Sequence, residues 1–132
     1  MWLAWDNQLR RDVALKVISE ARRARRKDIE RFEREALATS RLASPHTVAV
    51  HDFGVSDDGV CFLAMEYLDG RDMLQVGRAC RAHNKAVPFD VTARIISDAC
   101  SGLEHAHNLR GADGKLLDLV HRDMSPENVI IT

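Results

Sequence analysis

The hydrophobic period of this chain changes once, and that change limits what it can fold into. In the first half, short apolar and β-branched runs are bounded by turn residues: "DVALKVI" from Asp12 to Ile18, then "TVAVHDFGV" and "VCFLAMEYL". Runs of this kind read as strands. The last two are joined by "SDDG", whose Asp58-Gly59 pair favours a tight turn, so a β-hairpin is expected there. Between the strands, "KDIERFEREALATSRL" (Lys27 to Leu42) puts Ile29, Phe32 and Ala36 on one helical face. That helix stops at "SPH", because the residue before Pro45 is pushed out of the α region. Past "YLDGRD" the spacing turns helical. "DMLQVGRACRAH" is followed by "VTARIISDACSGLEHAHNL", with Ile95, Ile96, Ala99, Leu103 and Ala106 near one stripe. "RGADGKLLD" reads as a polar loop and "VIIT" as the start of a buried strand. The order strand, strand, helix, hairpin, helices predicts an α+β fold. A small antiparallel β-sheet with one helix spans 1–67, a polar hinge Leu68–Asp72, and a helical part 73–132.

Composition narrows the function classes. The chain has 132 residues, 45% hydrophobic and 30% charged, as a soluble globular domain does. Its net charge of −1 supplies no field to draw nucleic acid or an anionic membrane, so neither is expected as a partner. No apolar run reaches membrane-spanning length, and "MWLAWDNQLRRD" lacks a signal-peptide layout. Cys61, Cys80 and Cys100 are widely spaced with no C-x-x-C pair, and are expected as small core-filling thiols in a reducing, cytoplasmic setting. The basic run "RRARRK" could form a nucleic-acid patch, but the balanced net charge favours a solvated connector. His105 and His107 do not have the i, i+4 spacing of a zinc helix.

Three places could carry chemistry. In "HRDMSPEN" (His121 to Asn128), Asp123 is a carboxylate able to orient a hydroxyl and accept its proton, and Asn128 offers a neutral oxygen. Lys16 lies mid-strand between Leu15 and Val17, either a charge in an apolar setting that needs a partner or a strand lysine pointing into water. Glu33 and Glu35 flank the Ile29–Phe32–Ala36 stripe on opposite sides, and periodicity does not choose between them.

Together these strings resemble the protein kinase family, most closely the eukaryotic-like serine/threonine kinases of bacteria. "VALK" is similar to the V-A-I-K strand, "RFEREA" to the helix that follows it, "MEYLDG" to the adenine-gripping linker, and "HRDMSPEN" to the catalytic loop H-R-D-L-x-x-x-N. Each string alone is weak; all of them in order, with the right elements between, are specific. The resemblance implies a protein-kinase-like fold in which 1–67 is part of the small lobe and 73–132 the start of the large one. It implies ATP and Mg²⁺ as cofactors and a protein serine or threonine hydroxyl as acceptor. Lys16 would hold the α/β-phosphates with Glu35, the family register's choice, as its partner. Asp123 would orient the acceptor hydroxyl, and Asn128 would bind the metal ion. Met65 would be the gatekeeper, Glu66 and Leu68 would offer backbone groups to adenine, and Ala14 and Ile130 would form the roof and floor of its slot. Arg122 would pair with a phosphate that orders an activation segment.

Three departures shape the functional expectation. No glycine occurs before Gly54, so the glycine-rich phosphate lid is not among these residues, and no D-F-G follows Asn128. Ser125 stands two positions after Asp123, where a lysine is usual. The leading reading is therefore a fragment of a protein kinase, inactive as an isolated polypeptide; the other is a non-catalytic, pseudokinase-like interaction module. A small-molecule phosphotransferase fits less well, because such enzymes usually lack the arginine found here as Arg122. The purified 132-residue polypeptide is expected to be marginally stable and to show no autophosphorylation. Incorporation of labelled phosphate from Mg·ATP is the measurement, and robust labelling would overturn the expectation.

Overall fold

In the computed structural model, which describes residues 1–17 and 26–132, Trp2–Asp6 (β1) and Arg11–Val17 (β2) form an antiparallel hairpin. Its turn is built by Asp6, whose Oδ1 accepts from the backbone N–H groups of Gln8 (2.9 Å) and Leu9 (3.0 Å). Arg10 completes the reversal at φ 51°. The Leu9 N–H, aided by the Gln8 N–H and the Arg11 charge, holds the Asp6 carboxyl below its ordinary range. Ile18, the expected end of the second strand, and the basic connector through Arg25 lie outside the described residues.

Arg26–Thr39 forms helix α1, followed by strands Val50–Val55 (β3) and Cys61–Glu66 (β4). The expected hairpin is present: Ser56 and Val60 close the turn, the Ser56 N–H donating to Val60 O at 2.9 Å, and Gly59 takes φ 77°. Only glycine enters that region without steric cost. The sheet order is β1-β2-β4-β3, antiparallel throughout, so β2 is an interior strand. Side chains directly opposite in an antiparallel ladder share a face. Ala14, Lys16, Leu63 and Met65 therefore stand on one face, and Val13, Leu15 and Ala64 on the other. On the first face α1 lies beside β3, with Arg34 and Leu37 against Phe53. Ile29 and Phe32 are half-buried and Ala36 is buried, so the helical stripe falls where the sequence put it. Val13, Ala36 and Cys61 form the buried apolar core among the described residues.

The chain divides into two compact units, Met1–Tyr67 and Leu68–Thr132. In the second, the two-residue strand Arg71–Asp72 (β5) leads directly into helix Met73–Ala82 (α2). Asp72 caps that helix, its Oδ1 accepting from Gln75 N at 2.7 Å, which satisfies one orphan donor of the first turn. Helix Phe89–His107 (α3) follows, and strand Ile130–Ile131 (β6) pairs antiparallel with β5, placing Arg71 opposite Ile131 and Asp72 opposite Ile130. A Cβ on Gly70 would sit 2.3 Å from the Ile131 carbonyl oxygen, so glycine there is a requirement of the close backbone approach.

Four expectations need correction. α3 begins at Phe89, two residues before the expected Val91, because Pro88 has no N–H to lose and takes the cap position. Ile96 sits at the margin of the α3 stripe and is exposed. Of the three cysteines only Cys61 is a core thiol. Cys100 is exposed, since it lies about 140° around the helix from Ile95. The "VIIT" strand is not buried at its start, Ile130 being 44% exposed.

Two substitutions separate these constraints. Gly70→Ala is expected to cost about 1–3 kcal/mol by overpacking against Ile131. Gly77→Ala, at a helical site with open space around the added methyl, is expected to gain about 0.5–1 kcal/mol. Thermal unfolding of both variants measures the contrast. Because the folded Asp6 is shifted downward, its stabilisation is full above its ordinary value near about 4 and is lost as pH falls through the folded value. Melting against pH is expected to show that loss in the native chain and a flatter profile in Asp6→Asn.

Candidate functional site

Each unit gathers part of the expected site. In the first, β2 and β4 set Ala14 opposite Met65 and Lys16 opposite Leu63, so the expected roof, gatekeeper and phosphate-binding lysine share one sheet face. Ala14 and Met65 are half-buried and Lys16 is exposed. No ion pair at Lys16 is present among the described residues, so the structure does not join Lys16 to Glu35. An exposed ammonium keeps its hydration and needs no counter-charge to stay charged. The reading of a lysine that points into water thus describes its conformation here.

The two candidate glutamates are both exposed but differ in place. Glu33 lines an open groove with Glu30, Arg34, Leu37 and Phe53. Glu35 lies outside that groove, and its backbone carbonyl accepts from Thr39 Oγ1 at 2.8 Å. Glu66 closes the β4 end by two contacts to Ala49: its N–H donates to Ala49 O at 2.8 Å, and its Oε2 accepts from Ala49 N at 3.4 Å.

In the second unit, half-buried Leu68 makes no backbone hydrogen bond among the described residues. Ile130 lies opposite Asp72 in the β5–β6 ladder, and the Met73 N–H donates to Val129 O at 2.9 Å. These bonds tie the end of "HRDMSPEN" to the start of α2. Inside that loop, Arg122 adopts φ 61°, a left-handed conformation that costs a non-glycine residue roughly 1–2 kcal/mol. Such strain persists where the surroundings over-determine it, commonly at functional loops. Pro126–Asn128 forms a single 3₁₀ turn, closed by the Asn128 N–H donating to Ser125 O at 3.0 Å.

Asn128 and Asp123 are brought into direct contact. The Asn128 Nδ2 donates to Asp123 O at 2.8 Å and to Asp123 Oδ2 at 3.0 Å, and lies 3.3 Å from Ser125 Oγ. Two of these partners only accept, which identifies the amide nitrogen and leaves the Asn128 oxygen turned away from Asp123. Asp123 Oδ1 makes no hydrogen bond among the described residues. The loop thus presents a carboxylate oxygen and an amide oxygen, both exposed. Among the described residues no cluster of three or more His, Cys, Asp or Glu could cage a metal ion. The Asn128 amide oxygen suits Mg²⁺, which takes few protein ligands and completes its shell with phosphates and water.

The family profile described as "Protein kinase domain" matches residues 2–132. The chain belongs to the protein kinase domain family. Serine/threonine-protein kinase pkn3 of Myxococcus xanthus is 38% identical over 120 residues, which are 90% of this chain and 20% of that protein. Tyrosine-protein kinase MasK of Myxococcus xanthus strain DK1622 is 36% identical over 104 residues, 79% of this chain and 16% of its own length. The crystal structure of the Mycobacterium tuberculosis PknI kinase domain matches with a TM-score of 0.78 at 33% identity, covering 98% of this chain and 49% of that one. The chain thus spans about a fifth or less of these curated relatives and about half of the solved kinase domain. The kinase fold and the membership among bacterial eukaryotic-like kinases, both expected from the motifs, are established by these matches.

Sequence reasoning missed two features of the loop. The Gly70 approach to Ile131 had no motif to announce it. The Ser125–Asn128 contact was foreshadowed only by the i, i+3 spacing within "SPEN". Asn128→Ala removes both donors held by Asp123. It is expected to destabilise the loop by about 0.5–1.5 kcal/mol per lost hydrogen bond. Faster amide hydrogen exchange over Asp123–Asn128, with little change in the first unit, is the expected reading.

Proposed function

We propose that this chain supplies the phosphate-anchoring strand, the adenine linker and the catalytic loop of a protein kinase that transfers the γ-phosphoryl of Mg·ATP to a protein serine or threonine hydroxyl. The observation that carries this reading is the contact between Asp123 and Asn128 within a loop fastened to α2. It leaves one carboxylate oxygen of Asp123 able to accept the proton of an approaching hydroxyl while the hydroxyl's own oxygen attacks the γ-phosphorus and ADP departs. A bound magnesium ion would neutralise phosphate charge, with the Asn128 oxygen among its ligands.

The other assigned roles follow the family register. Lys16 binds the α/β-phosphates, and Glu35 pairs with it once α1 and the lysine are drawn together around a nucleotide. In the first unit Ala14 and Met65 meet adenine and Glu66 presents a backbone group, and in the second Leu68 presents a backbone group and Ile130 an apolar contact. The N–H and C=O of Leu68 make no hydrogen bond among the described residues, which leaves them available for that role. The named relatives include both serine/threonine and tyrosine kinases, so phosphoamino-acid analysis of the product is the measure of hydroxyl class. A cytoplasmic setting accords with unpaired cysteines and with the absence, among the described residues, of a helix long and apolar enough to cross a membrane.

The pseudokinase-like reading is favoured by one observation, the exposed Lys16 without its glutamate. Thermal shift with ATP, with and without Mg²⁺, distinguishes the two: a metal-dependent rise supports the kinase, and no response supports the interaction module. In the complete gene product, Asp123→Asn is expected to lower phosphotransfer by about 10²–10⁴-fold with ATP binding retained. Undiminished transfer by that variant would remove Asp123 from the chemistry.

A further inference from the structure

The contact between Ser125 and Asn128 has no place in the roles assigned so far. Asn128 Nδ2 carries two hydrogens but faces three acceptors, Asp123 O at 2.8 Å, Asp123 Oδ2 at 3.0 Å and Ser125 Oγ at 3.3 Å. Two of those acceptors belong to Asp123, whose other carboxylate oxygen is the one left for an acceptor hydroxyl. Ser125 is half-buried while Asp123 and Asn128 are exposed. The backbone holds the pair in reach: Asn128 N–H donates to Ser125 O at 3.0 Å across the turn, and Pro126 stiffens the first step of that turn.

We propose that Ser125 is a positioning residue for Asn128: its hydroxyl oxygen accepts from the amide nitrogen alongside Asp123, keeping the Asn128 oxygen aimed at a divalent cation. This rests on the kinase reading above. A lysine, usual at this position in the family, has no acceptor and could not do this. The serine exchanges a fixed positive charge near the phosphates for an oriented metal ligand. Threonine keeps the acceptor and alanine removes it.

The test uses the complete gene product with Mn²⁺ and the non-hydrolysable ATP analogue AMP-PNP, reading bound Mn²⁺ by electron paramagnetic resonance. Ser125→Ala is expected to weaken Mn²⁺ binding in the ternary complex by about three- to tenfold, the fold-change of a single hydrogen bond. Ser125→Thr is expected to restore it, and the thermal midpoint of both variants to stay within a few degrees of the parent. A crystal structure of Ser125→Ala is expected to show the Asn128 amide turned from its present orientation. Mn²⁺ affinity unchanged in Ser125→Ala overturns the positioning role while leaving the kinase reading intact. Equal weakening in the alanine and threonine variants also overturns it, because the hydroxyl would then not be the operative group. A parent protein that binds no Mn²⁺·AMP-PNP sinks the kinase reading, and this inference with it.

Discussion

The backbone approach of Gly70 to Ile131 is the constraint on which the second unit depends. It permits the β5–β6 ladder, and the ladder joins the residue that caps α2 to the residue that follows the catalytic loop. Asp72 therefore serves twice, ending a strand and opening a helix, while Met73 N–H bonds to Val129 O. With the downstream end of "HRDMSPEN" held by this ladder, the loop keeps Arg122 in its left-handed conformation. A side chain at residue 70 would separate the two strands, and the loop would lose the anchor that holds its downstream end.

In the first unit the organising fact is register. Because β2 is interior, a slip of one residue against β4 would send Ala14, Lys16 and Met65 to different faces. The Asp6 turn sets the register of β1 on β2 and the Gly59 turn that of β3 on β4, so the β2–β4 pairing rests on the ladder between the two hairpins. The core behind it is small, with Val13 and Cys61 buried on opposite faces of the sheet. Large apolar side chains remain in water: Trp2 at 69%, Trp5 at 57%, and Phe89 in the second unit at 88% exposure. Apolar area left in water contributes nothing to folding at about 25 cal/mol per Å². That supports the expectation of marginal stability for the isolated polypeptide.

The fold was legible because period and punctuation agree along most of the chain. Asp58-Gly59 gave the hairpin and the 3.6-residue stripe gave α1 its buried Ala36, while α1 ends at Thr39, short of the stop expected at Pro45. Residue type alone misled at Cys100, where the helical stripe, about 140° away at Ile95, already marked the exposed side. What stayed hidden depends on tertiary position. Whether a glutamate meets Lys16 depends on where α1 lies along the sheet, which no local pattern encodes. The loop was readable as a spacing, Asp123 to Asn128, and the structure supplies the reason for it: the intervening turn brings the amide back to the carboxylate.

That same loop has an unbalanced charge that bears on how such a site would handle phosphate. From His121 to Asn128 it carries Asp123 and Glu127 against Arg122 alone, since Ser125 occupies the place of the usual lysine. Two like charges a few ångströms apart repel by about 1 kcal/mol in water and by more where water is excluded. A nucleotide phosphate brought near Asp123 would therefore meet a loop that opposes it. In the proposed enzyme the offset has to come from Lys16 and from a cation held in part by the Asn128 oxygen. Under that division of labour the orientation of one amide matters more than in a loop with its own lysine. A half-buried hydroxyl is then a reasonable exchange for a fixed charge, because it secures the ligand that brings the mobile charge in.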